Sequence, residues 1–95
     1  MTAYIMARIN VTDMDQYKKY IALTPAIIEK FGGKFISRGG ETVTLEGEPE
    51  SRRMVLLEFP SVEAAQEFYN SDEYQAAIEV RKDAAEGQFM ILPGV

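Results

Sequence analysis

The hydrophobic pattern of this chain switches twice from a two-residue period to a period of about 3.6, and that double switch constrains the fold more than any motif. From Tyr4 to Val11, the residues Ile5, Ala7, Ile9 and Val11 point one way and Tyr4, Met6, Arg8 and Asn10 the other, which predicts a strand with one wholly apolar face. Thr12 then opens a Thr-Asp-Met-Asp run that reads as a capping box, with Thr12 and Asp15 meeting the free donors of a helix start. Met14, Tyr17, Ile21, Thr24, Ile28 and Phe31 follow at helical spacing. Pro25 predicts a kink, and Gly32 and Gly33 a helix end.

The second half repeats the switch. Lys34 to Arg38 reads as a short strand, Gly39 and Gly40 as a turn, and Thr42 to Glu46 as a return strand. A polar run from Gly47 to Arg52 leads into RRMVLLEF, where Val55, Leu57 and Phe59 share one face and Met54, Leu56 and Glu58 the other. Ser61 caps a helix, a second cap falls at Asn70 or Ser71, Gly87 closes the second helical piece, and Gln88 to Leu92 is the last strand. The order β, α, β with a hairpin, β, α in two pieces, β is the α+β ferredoxin-like split βαβ arrangement, an antiparallel sheet with helices on one face. Its outer face would carry Tyr4, Met6, Arg8, Met54, Leu56 and Glu58, too apolar for solvent, which predicts a homodimer through sheet faces with Arg8 and Glu58 as a charged pair.

Ninety-five residues make one domain, 1–95, and 46% hydrophobic residues suffice for a core without a disulfide or metal. The chain has neither cysteine nor histidine, which removes zinc-thiolate sites, thiol nucleophiles, the Ser-His-Asp triad and the usual haem ligand. No cofactor is expected. A formal net charge of -5 with scattered basic residues opposes nucleic-acid binding. The apolar N-terminus lacks the basic n-region of a leader, and no window approaches the roughly 18 apolar residues of a membrane span, so a soluble cytoplasmic protein without a membrane partner is expected.

The two Gly-Gly pairs in FGGKFISRGGE fit neither a dinucleotide fingerprint nor a P-loop, and read as a helix stop and a turn. Arg38, beside the second pair, can hold a ligand carboxylate bidentately or an internal acid such as Glu41, Glu46 or Glu58. Arg81 continues an apolar stripe, with either a packed stem and wet head or a charge entering a pocket. Glu58 and Glu46 are the weak candidates for a base, each equally suited to neutralisation by an arginine. Tyr17, Tyr20, Tyr69 and Tyr74 recur at helical spacing as core or pocket rim.

FGGKFISRGG, LEG at Leu45 to Gly47, EFPS at Glu58 to Ser61, YNSDEYQ at Tyr69 to Gln75 and Arg81 occur in an order and spacing that together are specific. On these stretches the chain resembles, over nearly its whole length, the domain of unknown function 1330 family (DUF1330) of the dimeric α+β barrel superfamily. The resemblance implies the fold above and a dimer whose sheets face each other around a cavity. It carries over no reaction, since wider relatives range from cofactor-free monooxygenases to isomerase-like and haem-bearing proteins. What emerges is a cavity for a small, partly apolar carboxylic acid. Arg38, Arg81, Tyr69 and Tyr74 would be its ligand-binding residues, and any catalysis would be cofactor-independent proton transfer or isomerisation with Glu58 or Glu46 as base. The opposing expectation is a non-catalytic dimer whose charges only pair internally.

Overall fold

The computed structural model describes residues 2–95. Its elements run β1 (Ala3–Val11), α1 (Met14–Lys30), β2 (Lys34–Arg38), β3 (Arg53–Phe59), α2 (Val62–Asn70), α3 (Asp72–Arg81) and β4 (Ala85–Pro93). The strands form one sheet in the order β2-β3-β1-β4, and each neighbouring pair is antiparallel. This is the ferredoxin-like α+β arrangement. Alternation in β1 becomes alternation in burial: Ala3, Ile5, Ala7 and Ile9 are buried, while Tyr4, Met6 and Arg8 keep partial access to solvent.

The helices cover the buried face with aromatic rings. Tyr17, Tyr74, Phe59 and Phe68 are the largest fully buried side chains, and Phe68 lies 4.4 Å from Tyr74 and 5.1 Å from Phe59 between ring centroids. Such packing of offset and tilted rings supplies most of the apolar area that small domains have to bury. Ser61 caps α2 by accepting from the Ala64 amide at 3.0 Å. Ser71 separates α2 from α3, donating to the Phe68 carbonyl at 2.7 Å and accepting from the Tyr74 amide at 3.1 Å. One hydroxyl thus ends one helix and starts the next.

Several local expectations change. The α1 cap is Asp13, which accepts from the Gln16 amide at 3.2 Å. Thr12 is held elsewhere: its amide and the Asp13 amide both donate to the Ala84 carbonyl, at 2.8 and 3.0 Å, and its hydroxyl adds a third bond at 3.1 Å. A tertiary acceptor therefore decides which residue caps the helix. Helix α1 continues through Pro25. Thr42 to Glu46 forms no strand; β2 pairs directly with β3, and residues 39–52 are a long loop with Val43 and Leu45 exposed. The outer edge of β2 stays open, and with only Val43 and Leu45 as apolar residues the polar segment buries too little to add a further strand there. The last helix ends at Arg81, not Gly87, because Gly87 pairs with Ile9 in a β4 that runs the full length of β1. Arg8 lies opposite Met54 and Glu58 opposite Tyr4, too far apart along the strands to pair; Glu58 instead meets Lys34 at 3.3 Å.

Because Ser71 serves two helices, Ser71→Ala should cost about 1 kcal/mol or slightly more. In a domain of this size that lowers the melting temperature by roughly 4–8 °C, measurable by calorimetry.

Candidate functional site

Helices and strands, with their two periodicities, converge on a small cavity of about 40 Å³ between α1 and the sheet. Helix α1 presents Tyr17, Tyr20 and Thr24 to it at intervals of three and four residues. Strand β3 contributes Arg53, which has the same parity as Val55, Leu57 and Phe59 and so lies on the helix-covered face of the sheet. Arg38, opposite Val55 in β2, shares that face at the exposed rim, and Tyr74 enters from α3. Ala7 and Ile9 of β1 form part of the floor.

The turn after β2 holds Arg53 in place. Gly39 has φ +69° and donates its amide to the Met54 carbonyl at 2.8 Å. A Cβ at position 39 would fall 2.5 Å from the Arg53 Cζ, so glycine is required both for the backbone and for the guanidinium beside it. Arg53 in turn lies over the Tyr17 ring at 5.8 Å, and Arg38 over the Phe35 ring at 3.8 Å.

Behind the cavity wall stands Arg81, 7% exposed, with its guanidinium 5.3 Å from the Tyr20 ring centroid and 4.8 Å from that of Phe89. The Tyr20 and Tyr74 hydroxyls share a buried hydrogen bond of 2.6 Å. Two hydroxyls joined by one bond retain one free O–H. The Nε groups of Arg53 and Arg81 are also buried without an acceptor, as is that of Arg8 on the opposite face of the sheet. No carboxylate lines the cavity, and among the described residues the ion pairs lie elsewhere: Lys30 with Glu73, Lys34 with Glu58, Arg52 with Glu50 and Lys82 with Glu79. The site is therefore rich in buried donors and short of acceptors.

Burial raises the pKa of Tyr20, and the neighbouring Tyr74 hydroxyl adds to the shift. Burial also raises Tyr74, against the opposing pull of its bond to Tyr20 and of the Arg81 charge. Tyr17 is raised by burial and drawn back by Arg53 and Arg81. All three are neutral donors near neutral pH. A second, open basin of about 510 Å³ shares Ile9 and Arg53 with the cavity and is bordered by Asn10, Gly39, Thr42 and Glu50. Arg53 is thus common to an inner, apolar space and an outer, polar one.

Of the residues singled out in the sequence, Arg38 and Tyr74 line the inner cavity and Arg81 stands behind it. Tyr69 lines a separate groove with Gln66 and Met90, although its ring is 5.5 Å from that of Tyr74. Glu58 is half-buried beside Lys34 on the other face of the sheet, and Glu46 is exposed in the loop. The six residues do not converge. Arg53 was missed, although the alternation of Val55, Leu57 and Phe59 extends back to it. Among the described residues, no cluster of acids has the geometry to hold a metal ion, and no helix is long and apolar enough to cross a membrane.

A four-stranded antiparallel sheet, helices on one side and a donor-lined cavity between them define a ferredoxin-like α+β protein. The chain belongs to the DUF1330 family, a domain of unknown function, which matches residues 2–95. No curated protein matches it. Among solved structures, it is similar to a protein of unknown function from Rhodopseudomonas palustris, with a TM-score of 0.76, 21% identity, and coverage of 99% of this chain and 82% of that one. A dimeric ferredoxin-like protein of unknown function from Jannaschia sp. superposes with a TM-score of 0.73, 12% identity, and coverage of 99% and 100%. SnoaB, a cofactor-independent oxygenase from Streptomyces nogalater, gives 0.71, 10% identity, and coverage of 99% and 93%. At these identities the likeness is one of fold.

The raised tyrosines set a pH dependence. Below the ordinary tyrosine value of 10.0, folded and unfolded chains both hold these phenolic protons and the stability is fully present. As pH rises past 10.0, the unfolded chain loses the protons while the folded chain retains them, so stability falls. Urea midpoints should therefore drop between about pH 9 and about pH 11, less steeply in Tyr20→Phe. An equal slope in the variant would place the alkaline sensitivity elsewhere.

Proposed function

We propose that the cavity binds a small organic acid, with Arg53 and Arg38 receiving its carboxylate. The observation that carries this reading is an excess of donors over acceptors at one space with no acid in its wall: the Arg53 Nε and one proton of the Tyr20–Tyr74 pair lack acceptors there, and the Arg81 Nε behind the wall is unpaired as well. A buried donor without an acceptor costs about 1–3 kcal/mol, and an anion is the ligand that would satisfy several at once. The inner volume of about 40 Å³ admits a short acid or the head of a longer one, whose tail would lie in the adjoining basin. Glu58 and Glu46 do not line this cavity, so the reading is one of binding and assigns no carboxylate base. The alternative, charges that only pair internally, fits Lys34 with Glu58 but not Arg38, Arg53 or Arg81, which have no acidic partner among the described residues.

The test is thermal stability with and without a panel of short carboxylic acids. A ligand at a hundred times its Kd adds about 2.7 kcal/mol of stability, readily visible as a rise in melting temperature. Arg53→Gln should weaken binding by about tenfold or more, the effect of losing a hydrogen bond to a charged group. In the ligand-free protein the same change should lower the melting temperature only slightly, since Arg53 has no acidic partner and its contact with the Tyr17 ring is worth about 0.5–1 kcal/mol. A large loss of ligand-free stability in Arg53→Gln, with no acid stabilising wild type, would sink the proposal.

The outer sheet face supports a homodimer as a second reading. Met6 lies between Leu56 and Met90 in register, with Tyr4, Met54 and Leu92 on the same face, an apolar patch that the helices do not cover. The structural relative from Jannaschia sp. is described as dimeric, as is one from Bacteroides fragilis. Sedimentation velocity should give a dimer for wild type and a folded monomer for Leu56→Asp. A wild-type monomer at micromolar concentration would overturn the reading.

A further inference from the structure

The free donors around the cavity come from two directions, which says more about the ligand than its charge. Arg53 and Arg38 approach from β3 and β2, whereas the Tyr20–Tyr74 pair is supplied by α1 and α3. A single carboxylate can accept from the arginines, but the tyrosine pair still has one hydroxyl proton without an acceptor. The space between them is small. A water centre needs about 10–15 Å³ of free space, so a cavity of about 40 Å³ holds roughly three waters. A ligand filling it has two or three carbons, which puts any second oxygen within a bond or two of the carboxylate.

Resting on the reading of an acid site, we infer that the ligand class is short 2-oxo acids, with the carboxylate on Arg53 and Arg38 and the 2-oxo oxygen on the Tyr20–Tyr74 pair. A plain acid leaves the tyrosine proton without an acceptor. A 2-hydroxy acid brings another donor to a wall already short of acceptors. The 2-oxo group brings an acceptor and no proton. Arg81, buried against Tyr20 and carrying a free Nε–H, reinforces the choice, because a cation behind the hydroxyls strengthens them as donors and so favours an oxygen that only accepts. Tyr20 and Tyr74 thereby become specificity-determining residues, and Arg81 a positioning residue acting through them.

The experiment is calorimetric titration of the intact protein with pyruvate, lactate and propionate, which match in carbon number and differ only at the second carbon. Wild type should bind pyruvate about tenfold or more tighter than either of the others, as a site built around a substrate oxygen discriminates against analogues that fail to match it. In Tyr74→Phe that preference should shrink to about twofold or less, and Tyr20→Phe should do the same if Tyr74→Phe fails to fold. Equal affinity for pyruvate and propionate in wild type, with both dependent on Arg53, would overturn this inference and leave the acid site standing. No binding of any of the three, with Arg53→Gln indistinguishable from wild type, would remove the acid site itself. Retention of the full pyruvate preference in both tyrosine variants would also overturn the assignment of the second oxygen.

Discussion

The position of β1 between β3 and β4 is the constraint on which the other features depend. It is hydrogen-bonded along both edges and buried along one face, so each of its inward side chains sets the depth of the layer above it. Those side chains alternate in size: Ala3, Ile5, Ala7, Ile9. The cavity has Ala7 and Ile9 in its floor, with the Tyr17, Tyr20 and Tyr74 rings around it. A larger residue at position 7 would fill part of this space directly. The site is thus partly a property of the central strand, where overpacking costs about 1–3 kcal/mol and the neighbouring rings have little freedom to yield.

Polar groups then define what the space can accept. The chain carries a net charge of -5, yet its cavity has arginines and no acids. Surface pairs such as Lys82 with Glu79 are largely exposed and contribute little to stability. The interior arginines are different: Arg81 is almost wholly buried and is stabilised by aromatic faces rather than a carboxylate. The asymmetry places a cationic rim, Arg38 and Arg53, at the mouth of a space with no acid in its wall.

Most of the fold was legible because period-two and helical patterns reflect burial on one face, and burial is what the sheet and helices share. Ile5, Ala7 and Ile9 in β1 and Ser61 at the start of α2 followed from local chemistry alone. The failures have a common physical origin in tertiary partners. Thr12 caps nothing because the Ala84 carbonyl binds it, and Gly87 is no helix stop because β1 extends far enough to pair with it. Val43 and Leu45 alternate as in a strand, but both stay exposed and the edge of β2 remains unpaired beside them. For the site, Arg38 and Tyr74 were visible as residues beside turns and stripes. Glu58 faces outward with Met54 and Leu56 as the alternation required, but its cationic partner is Lys34 of β2 rather than an arginine, a pairing set by strand register. Arg53 was hidden at a strand start, where a charged residue reads as loop.

Gly39 shows how little separates a turn from a site. Its missing Cβ leaves the volume into which the Arg53 guanidinium packs. An arginine side chain free to rotate gives up about 2 kcal/mol of rotamer entropy when it is immobilised. Here much of that ordering occurs during folding, as the hairpin closes, before any ligand arrives. The tight turn between β2 and its loop is therefore also a device for preorganisation, and the smallest residue in the hairpin governs how stiffly its largest cation is held.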